Sequence, residues 1–158
     1  MAQLIYIFSR LQVYGAMYLL VDDSENDLLL MRKSFAQAKF EIATKEVKSG
    51  EEAIEYFKGE GQYSNRAEYP LPSLVLLDLN MPGLNGFEVL QWIRKQPALK
   101  ALRVLVLTTS EAIRYVNEAY RLGANSFMMK PLDFQNLVAM TISLKDYWLT
   151  RCEAPEIT

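Results

Sequence analysis

Apolar residues in this chain follow two rhythms that take turns. Short unbroken runs occur at Tyr18 to Val21, Leu74 to Leu77 with Leu79, and Val104 to Leu107 within Arg103 to Ser110, with a shorter strand candidate at Ser126 to Met129 and a weaker, alternating one at Ile42 to Val47. Unbroken runs of this length predict strands buried on both faces of a sheet. Between them the spacing lengthens to three and four. Leu28, Leu29, Met31 and Phe35 form one such stripe, Ala53, Ile54 and Phe57 a second, and Phe87, Val89, Leu90 and Ile93 a third. Ile113, Val116, Ala119 and Tyr120 form a fourth, and Phe134, Leu137, Val138, Thr141, Leu144 and Trp148 a fifth. Each stripe predicts a helix with one face inside. Strand and helix alternate five times, which predicts an α/β, doubly wound parallel sheet of five strands with five helices in three layers.

Punctuation supports these bounds. Ser24, Ser110 and Asp133 stand where N-caps belong, and Ser49-Gly50-Glu51-Glu52 has capping-box spacing. Pro97 ends the third helix, and Gly123 ends the fourth as a left-handed residue. Residues 59–72 break the rhythm with glycines, polar residues and two prolines. They read as a long surface loop, either a contact surface bearing Tyr63 and Tyr69 or a tolerated insertion. The first fourteen residues are apolar but interrupted by Ser9, Arg10 and Gln12, too polar for a spanning helix and lacking a leading basic group. An added helix, an interaction arm and a start-site artefact all remain open for them. The division expected is an extension over 1–15, one domain over 16–150, and a short tail over 151–158.

Composition narrows the chemistry. At 158 residues, 51% hydrophobic and 23% charged, the chain is the size of one domain with a real core. Seventeen basic against nineteen acidic residues give a formal charge of −2, without the basic excess of a nucleic-acid binder, so DNA binding is not expected. One cysteine, Cys152, rules out an intrachain disulfide and fits a reducing, cytoplasmic setting. Histidine is absent, which removes the commonest general base and metal ligand. Any metal would be held by oxygen atoms, as Mg²⁺, Ca²⁺ or Mn²⁺ are.

Four of the five predicted strands end in polar groups: Asp22-Asp23, Asp78, Thr108 and Lys130. Singly each has an ordinary explanation, as a cap, a loop opener or a solvated charge. In a parallel sheet, however, all these ends share one edge, where α/β proteins bind ligands. Clustered carboxylates would hold a hard divalent cation; without one, mutual repulsion would raise at least one pKa. Asp78 could attack phosphorus, with Lys130 and Thr108 supplying a cation and a hydroxyl to phosphoryl oxygens.

Asp22-Asp23 after the first strand, Asp78 in LLDLNMPGLNG, Thr108 in LVLTTS, and Lys130-Pro131 together resemble the receiver domain of two-component response regulators, from about Met17 to Leu149. The long loop after the second helix, LTTS and Tyr147-Trp148-Leu149 are more particularly similar to single-domain, phytochrome-associated regulators. The resemblance implies a flavodoxin-like strand order 2-1-3-4-5 and no output domain. It implies Asp78 as phosphoacceptor, Asp22, Asp23, Asp78 and the Asn80 main-chain carbonyl as ligands of Mg²⁺ (or Mn²⁺), and Thr108 and Lys130 on the phosphoryl group. Phe127 would be an aromatic switch that follows Thr108, and Lys130-Pro131 a cis peptide. A sensor histidine kinase, of phytochrome type on the finer resemblance, would donate the phosphoryl group, and a downstream protein would read the result.

The chain departs from the family at Asn85, where Asp is usual, and at Thr109, where a smaller residue is common and water access to the site would be slowed. Two rival classes are a Mg²⁺-dependent phosphatase with an Asp nucleophile, disfavoured because Asn80 replaces its acid/base, and an unphosphorylated adaptor, disfavoured because every acid and the lysine are kept. The chain is therefore expected to be a phosphoacceptor with slow self-catalysis, not an enzyme. Phe134, Tyr147 and Trp148 predict a homodimer through the last helix. No membrane association is expected.

Overall fold

The computed structural model describes residues 16–109, 113–155 and 157. The strands are β1 (Met17–Val21), β2 (Ala43–Val47), β3 (Leu74–Leu77), β4 (Arg103–Thr108) and β5 (Ser126–Met129). The helices between and after them are α1 (Glu25–Gln37), α2 (Gly50–Lys58), α3 (Gly86–Lys95), α4 (Ile113–Arg121) and α5 (Phe134–Leu144), and α5 runs on as a wider π-helical turn over Lys145–Arg151. All strand pairs are parallel, in the order β2-β1-β3-β4-β5. The predicted fold is the one found.

Side-chain alternation along each strand builds the two cores. Met17, Leu19 and Val21 of β1 join Val75, Leu77, Val104 and Val106 beneath Ala53, Val89 and Ala119 of α2, α3 and α4. Tyr18 and Leu20 face the other way with Leu74, Leu76, Leu105 and Leu107, against Leu28, Met31 and Phe35 of α1 and Leu137 and Leu144 of α5. The central strands are therefore apolar on both faces, and each buried Leu or Val contributes about 1.5–3 kcal/mol. On the second face, fully buried Ser34 and Thr141 share a 2.9 Å hydrogen bond that ties α1 to α5.

Three expected inward positions need correction. Leu29 of α1 is exposed. In α2 the inward residues are Ala53, Tyr56 and Phe57, with Ile54 only half-buried. Tyr120 is 49% exposed, not inside. Its hydroxyl accepts the Phe127 N–H of edge strand β5 at 3.2 Å. Residues 59–72 form a loop that is exposed over much of its length and anchored on α2. Tyr63 is buried against Tyr56 and Tyr69, with its hydroxyl on Glu52. Arg66 donates to the carbonyls of Tyr56 and Phe57 in the last turn of α2 and to that of Tyr69, which ties the loop to the helix end. The expected cap at Ser110 lies outside the described residues.

Candidate functional site

The C-terminal edge of the sheet gathers the expected groups. β1 ends in Asp22, which is buried, and Asp23, which is exposed. The Asp22 backbone N–H donates to Val47 O at 3.1 Å, and the Asp22 carboxylate accepts the Ser24 N–H at 2.9 Å. Ser24 then caps α1 through the Asp27 N–H. The β3 end is drawn alongside, since the Asp78 N–H donates to Val21 O at 2.9 Å. Gly86 allows this closeness: a Cβ there would lie 2.2 Å from Asp78 O and 2.7 Å from the Leu79 Cα, so α3 can start only on a residue without one. Asn85 caps α3 in a full capping box with Glu88, so the usual acid is replaced by another good cap.

One carboxylate oxygen from each of Asp22, Asp23 and Asp78 lies within 4.8 Å of the others. Three oxygen donors this close fit a hard divalent cation. Asp78 is 7% exposed, and burial first, with the Asp22 charge adding, pushes its pKa up to about 6 against the partial relief of Lys130. Burial raises Asp22 as well, opposed by its bonds from Lys130 and Ser24. Both shifts express a cost that a bound cation would remove.

Thr108 ends β4 fully buried; its hydroxyl accepts from Asn80 Nδ2 at 3.3 Å, and the Asn80 N–H donates to Asp78 Oδ1 at 3.3 Å. Thr108 O also accepts the Lys130 N–H at 2.9 Å, which brings the β5 end to the site. Phe127 pairs with Val106 and packs on the core beside it, so it shares the sheet face of Thr108 one strand away.

Lys130 is placed less simply than expected. Its ammonium lies 2.5 Å from Asp22 Oδ2 and 2.8 Å from Asp27 Oδ2, but 3.7 Å from Asp78 Oδ2. Burial would lower its pKa, yet the bonds it donates to Asp22 and Asp27 and the Asp78 charge hold it raised. The Lys130–Pro131 bond, expected to be cis, is not: no peptide bond among the described residues is cis. Trans is the intrinsically favoured isomer by about 0.5–1 kcal/mol, and in that form both the Lys130 amide and its ammonium already have partners. Asp27 was missed in the sequence because it reads as a first-turn acid; its position four residues after Asp23 is the only signal it gives. A cleft of about 240 Å³ opens beside these groups, bordered by Asp22, Asp27, Asp78, Thr109, Lys130 and Leu132.

Comparisons with known proteins agree with this geometry. The family model described as "Response regulator receiver domain" matches residues 18–142. A probable methanogenesis regulatory protein, FilR2, from Methanothrix harundinacea is 34% identical over 134 residues, covering 83% of this chain and 82% of its own. Response regulator Rcp1 from Synechocystis is 33% identical over 137 residues, covering 87% of this chain and 91% of its own. The Mn²⁺-bound form of Rcp1 superposes with a TM-score of 0.80 at 32% identity, over 89% of this chain and 99% of that one. Response regulator RPA3017 of R. palustris, described in red light signaling, superposes with a TM-score of 0.85 at 32% identity over the same shares.

Proposed function

The chain belongs to the response regulator receiver family of two-component systems, and we propose that Asp78 is its phosphoacceptor. The observation that carries this reading is the setting of Asp78: a buried carboxylate with a pKa near 6, beside two further acids, an ammonium at 3.7 Å and the Asn80–Thr108 pair. An Asp78 oxygen attacks the phosphorus of a phosphorylated histidine on a sensor kinase. The new O–P bond replaces the P–N bond, and the imidazole leaves. Lys130 then shifts a short way to a phosphoryl oxygen, and Thr108 turns its hydroxyl to another, which frees the space that Phe127 fills. Asp22, Asp23, Asp78 and the Asn80 carbonyl would hold Mg²⁺ or Mn²⁺, which when bound neutralises charge on the phosphoryl oxygens. Asn80 stands where an acid would deprotonate water in a phosphatase, so the phosphoryl group is stored and not turned over.

Residues 16–150 form the receiver unit on this reading, 1–15 an extension and 151–158 a tail. The similarity to solved phytochrome and bacteriophytochrome response regulators supports a kinase of phytochrome type as the donor. Dimerisation through the last helix would fall to Tyr147, 55% exposed, more than to Trp148, whose ring lies under Arg103 at 5.6 Å, or to half-buried Phe134.

Incubation with acetyl phosphate and Mg²⁺ followed by intact-mass measurement tests the phosphoacceptor. One phosphoryl increment is expected on the unaltered chain and none on Asp78→Asn. A gain that survives the substitution overturns the assignment.

A further inference from the structure

Lys130 has three ammonium donors. Two are engaged, by Asp22 at 2.5 Å and Asp27 at 2.8 Å, and the distance to Asp78, 3.7 Å, is beyond hydrogen-bond reach. The lysine therefore rests on the α1 side of the cleft. Asp27 is well suited to keep it there. It sits in the first turn of α1, where the helix dipole favours a negative charge, and its carboxylate is not spent on capping because Ser24 does that work. Asp22 is divided: one oxygen accepts Ser24 N–H and the other Lys130, while the same group belongs to the acid trio.

We infer that Asp27 is a positioning residue, which holds the Lys130 ammonium away from Asp78 and gives it an anchor to keep when Asp22 releases it to a divalent cation. When Asp22 turns its oxygen to the cation, Lys130 loses one of its two anchors and keeps Asp27. Without Asp27 the ammonium has only Asp22 and Asp78 to bind, so it competes with the metal for the same oxygens. Asp27 thereby converts a competitor of the cation into a neighbour that waits beside it. When a phosphoryl group is placed on Asp78, Lys130 reaches it with Asp27 still at its back, and a short shift suffices.

A remote negative charge would also favour a cation, so the test must separate position from charge. Mn²⁺ binding, followed through the paramagnetic resonance signal of free Mn²⁺, is measured for the unaltered chain, Asp27→Asn, Lys130→Gln and the double variant. Position predicts that Asp27→Asn weakens Mn²⁺ about fivefold when Lys130 is present and less than about twofold in the Lys130→Gln background, a coupling typical of contacting residues. An equal loss in both backgrounds makes Asp27 a bare charge and overturns the inference, as does no loss in either. The phosphoryl half rests on the reading of Asp78 as phosphoacceptor and is followed by beryllofluoride binding at saturating Mg²⁺. Failure of the unaltered chain to bind beryllofluoride would sink that reading, and the Mn²⁺ cycle would still decide the role of Asp27.

Discussion

Two basic side chains hold opposite ends of this sheet, and they do so by different means. Arg94, from the end of α3, reaches the edge where β4 and β5 begin. Its guanidinium donates to the carbonyls of Gly123, Leu99, Lys100 and Leu102 and to Asn125 Oδ1, which in turn accepts the Val104 N–H. Gly123, at φ +100°, leaves no room for a Cβ, which would sit 2.9 Å from Arg94 Nε. Lys130 holds the other edge, where the strands end, and its partners are carboxylates. A rigid, always-charged fork bonded to neutral carbonyls has no alternative arrangement. A point charge among competing anions has several, and a new anion redistributes it. One end of the molecule is fixed so that the other can change.

The contrast can be broken from either side. The largest effect belongs to Arg94→Ala, which strands several partly buried carbonyls. It is expected to cost about 3 kcal/mol and lower Tm by roughly 8 °C, with Mn²⁺ affinity unaltered. A calorimetric scan beside a metal titration checks it, and an equal loss of metal affinity would show that the two ends are not separate.

Asp78→Asn should act in the opposite direction. A carboxyl whose folded pKa is raised from 3.8 to about 6 keeps a proton that the unfolded chain has lost. Its contribution to stability therefore falls as pH rises from about 4 to about 6. In chelator-treated protein the variant should be more stable at pH 7, on the order of 2 kcal/mol, and equal at pH 4. Urea titrations at both pH values measure this.

Lys130→Gln removes the cation from among four carboxylates. It is expected to destabilise the metal-free protein by about 1–2 kcal/mol, with millimolar Mg²⁺ restoring most of it by binding the folded state. Failure of Mg²⁺ to restore stability would place the structural weight on the ammonium itself. The smallest effect is at Thr109, which is exposed and borders the cleft. Thr109→Ala should speed loss of the phosphoryl group by about threefold, ~0.7 kcal/mol in barrier, and matched rates would remove its proposed shielding role.

Much of this was legible in the residues because strands buried on both faces can be written only in apolar letters, and their polar ends then stand out. Asp22, Asp23, Asp78, Thr108 and Lys130 were visible for that reason. The unread parts share a different cause. Tyr63 and Arg66 lie in a polar stretch, and their placement depends on contacts with α2 that no local pattern records. Tyr120 has apolar spacing, but its hydroxyl found a better partner at the sheet edge than burial offered. Asp27 looked like helix-start chemistry until a lysine 103 positions away was placed against it. The isomer at Lys130–Pro131 followed the family expectation in the sequence and the intrinsic preference in the structure.

The Tyr120 contact has a consequence for how copies of this protein meet one another. β5 is an edge strand, and a free edge N–H invites another chain to add a strand. By taking up the Phe127 donor, the Tyr120 hydroxyl closes one rung of that ladder from within the same molecule. The tyrosine, reaching over from α4, thus blocks the addition of a strand at that rung, at the residue proposed as the switch. Any motion of Phe127 strong enough to release it would open that rung to a neighbour.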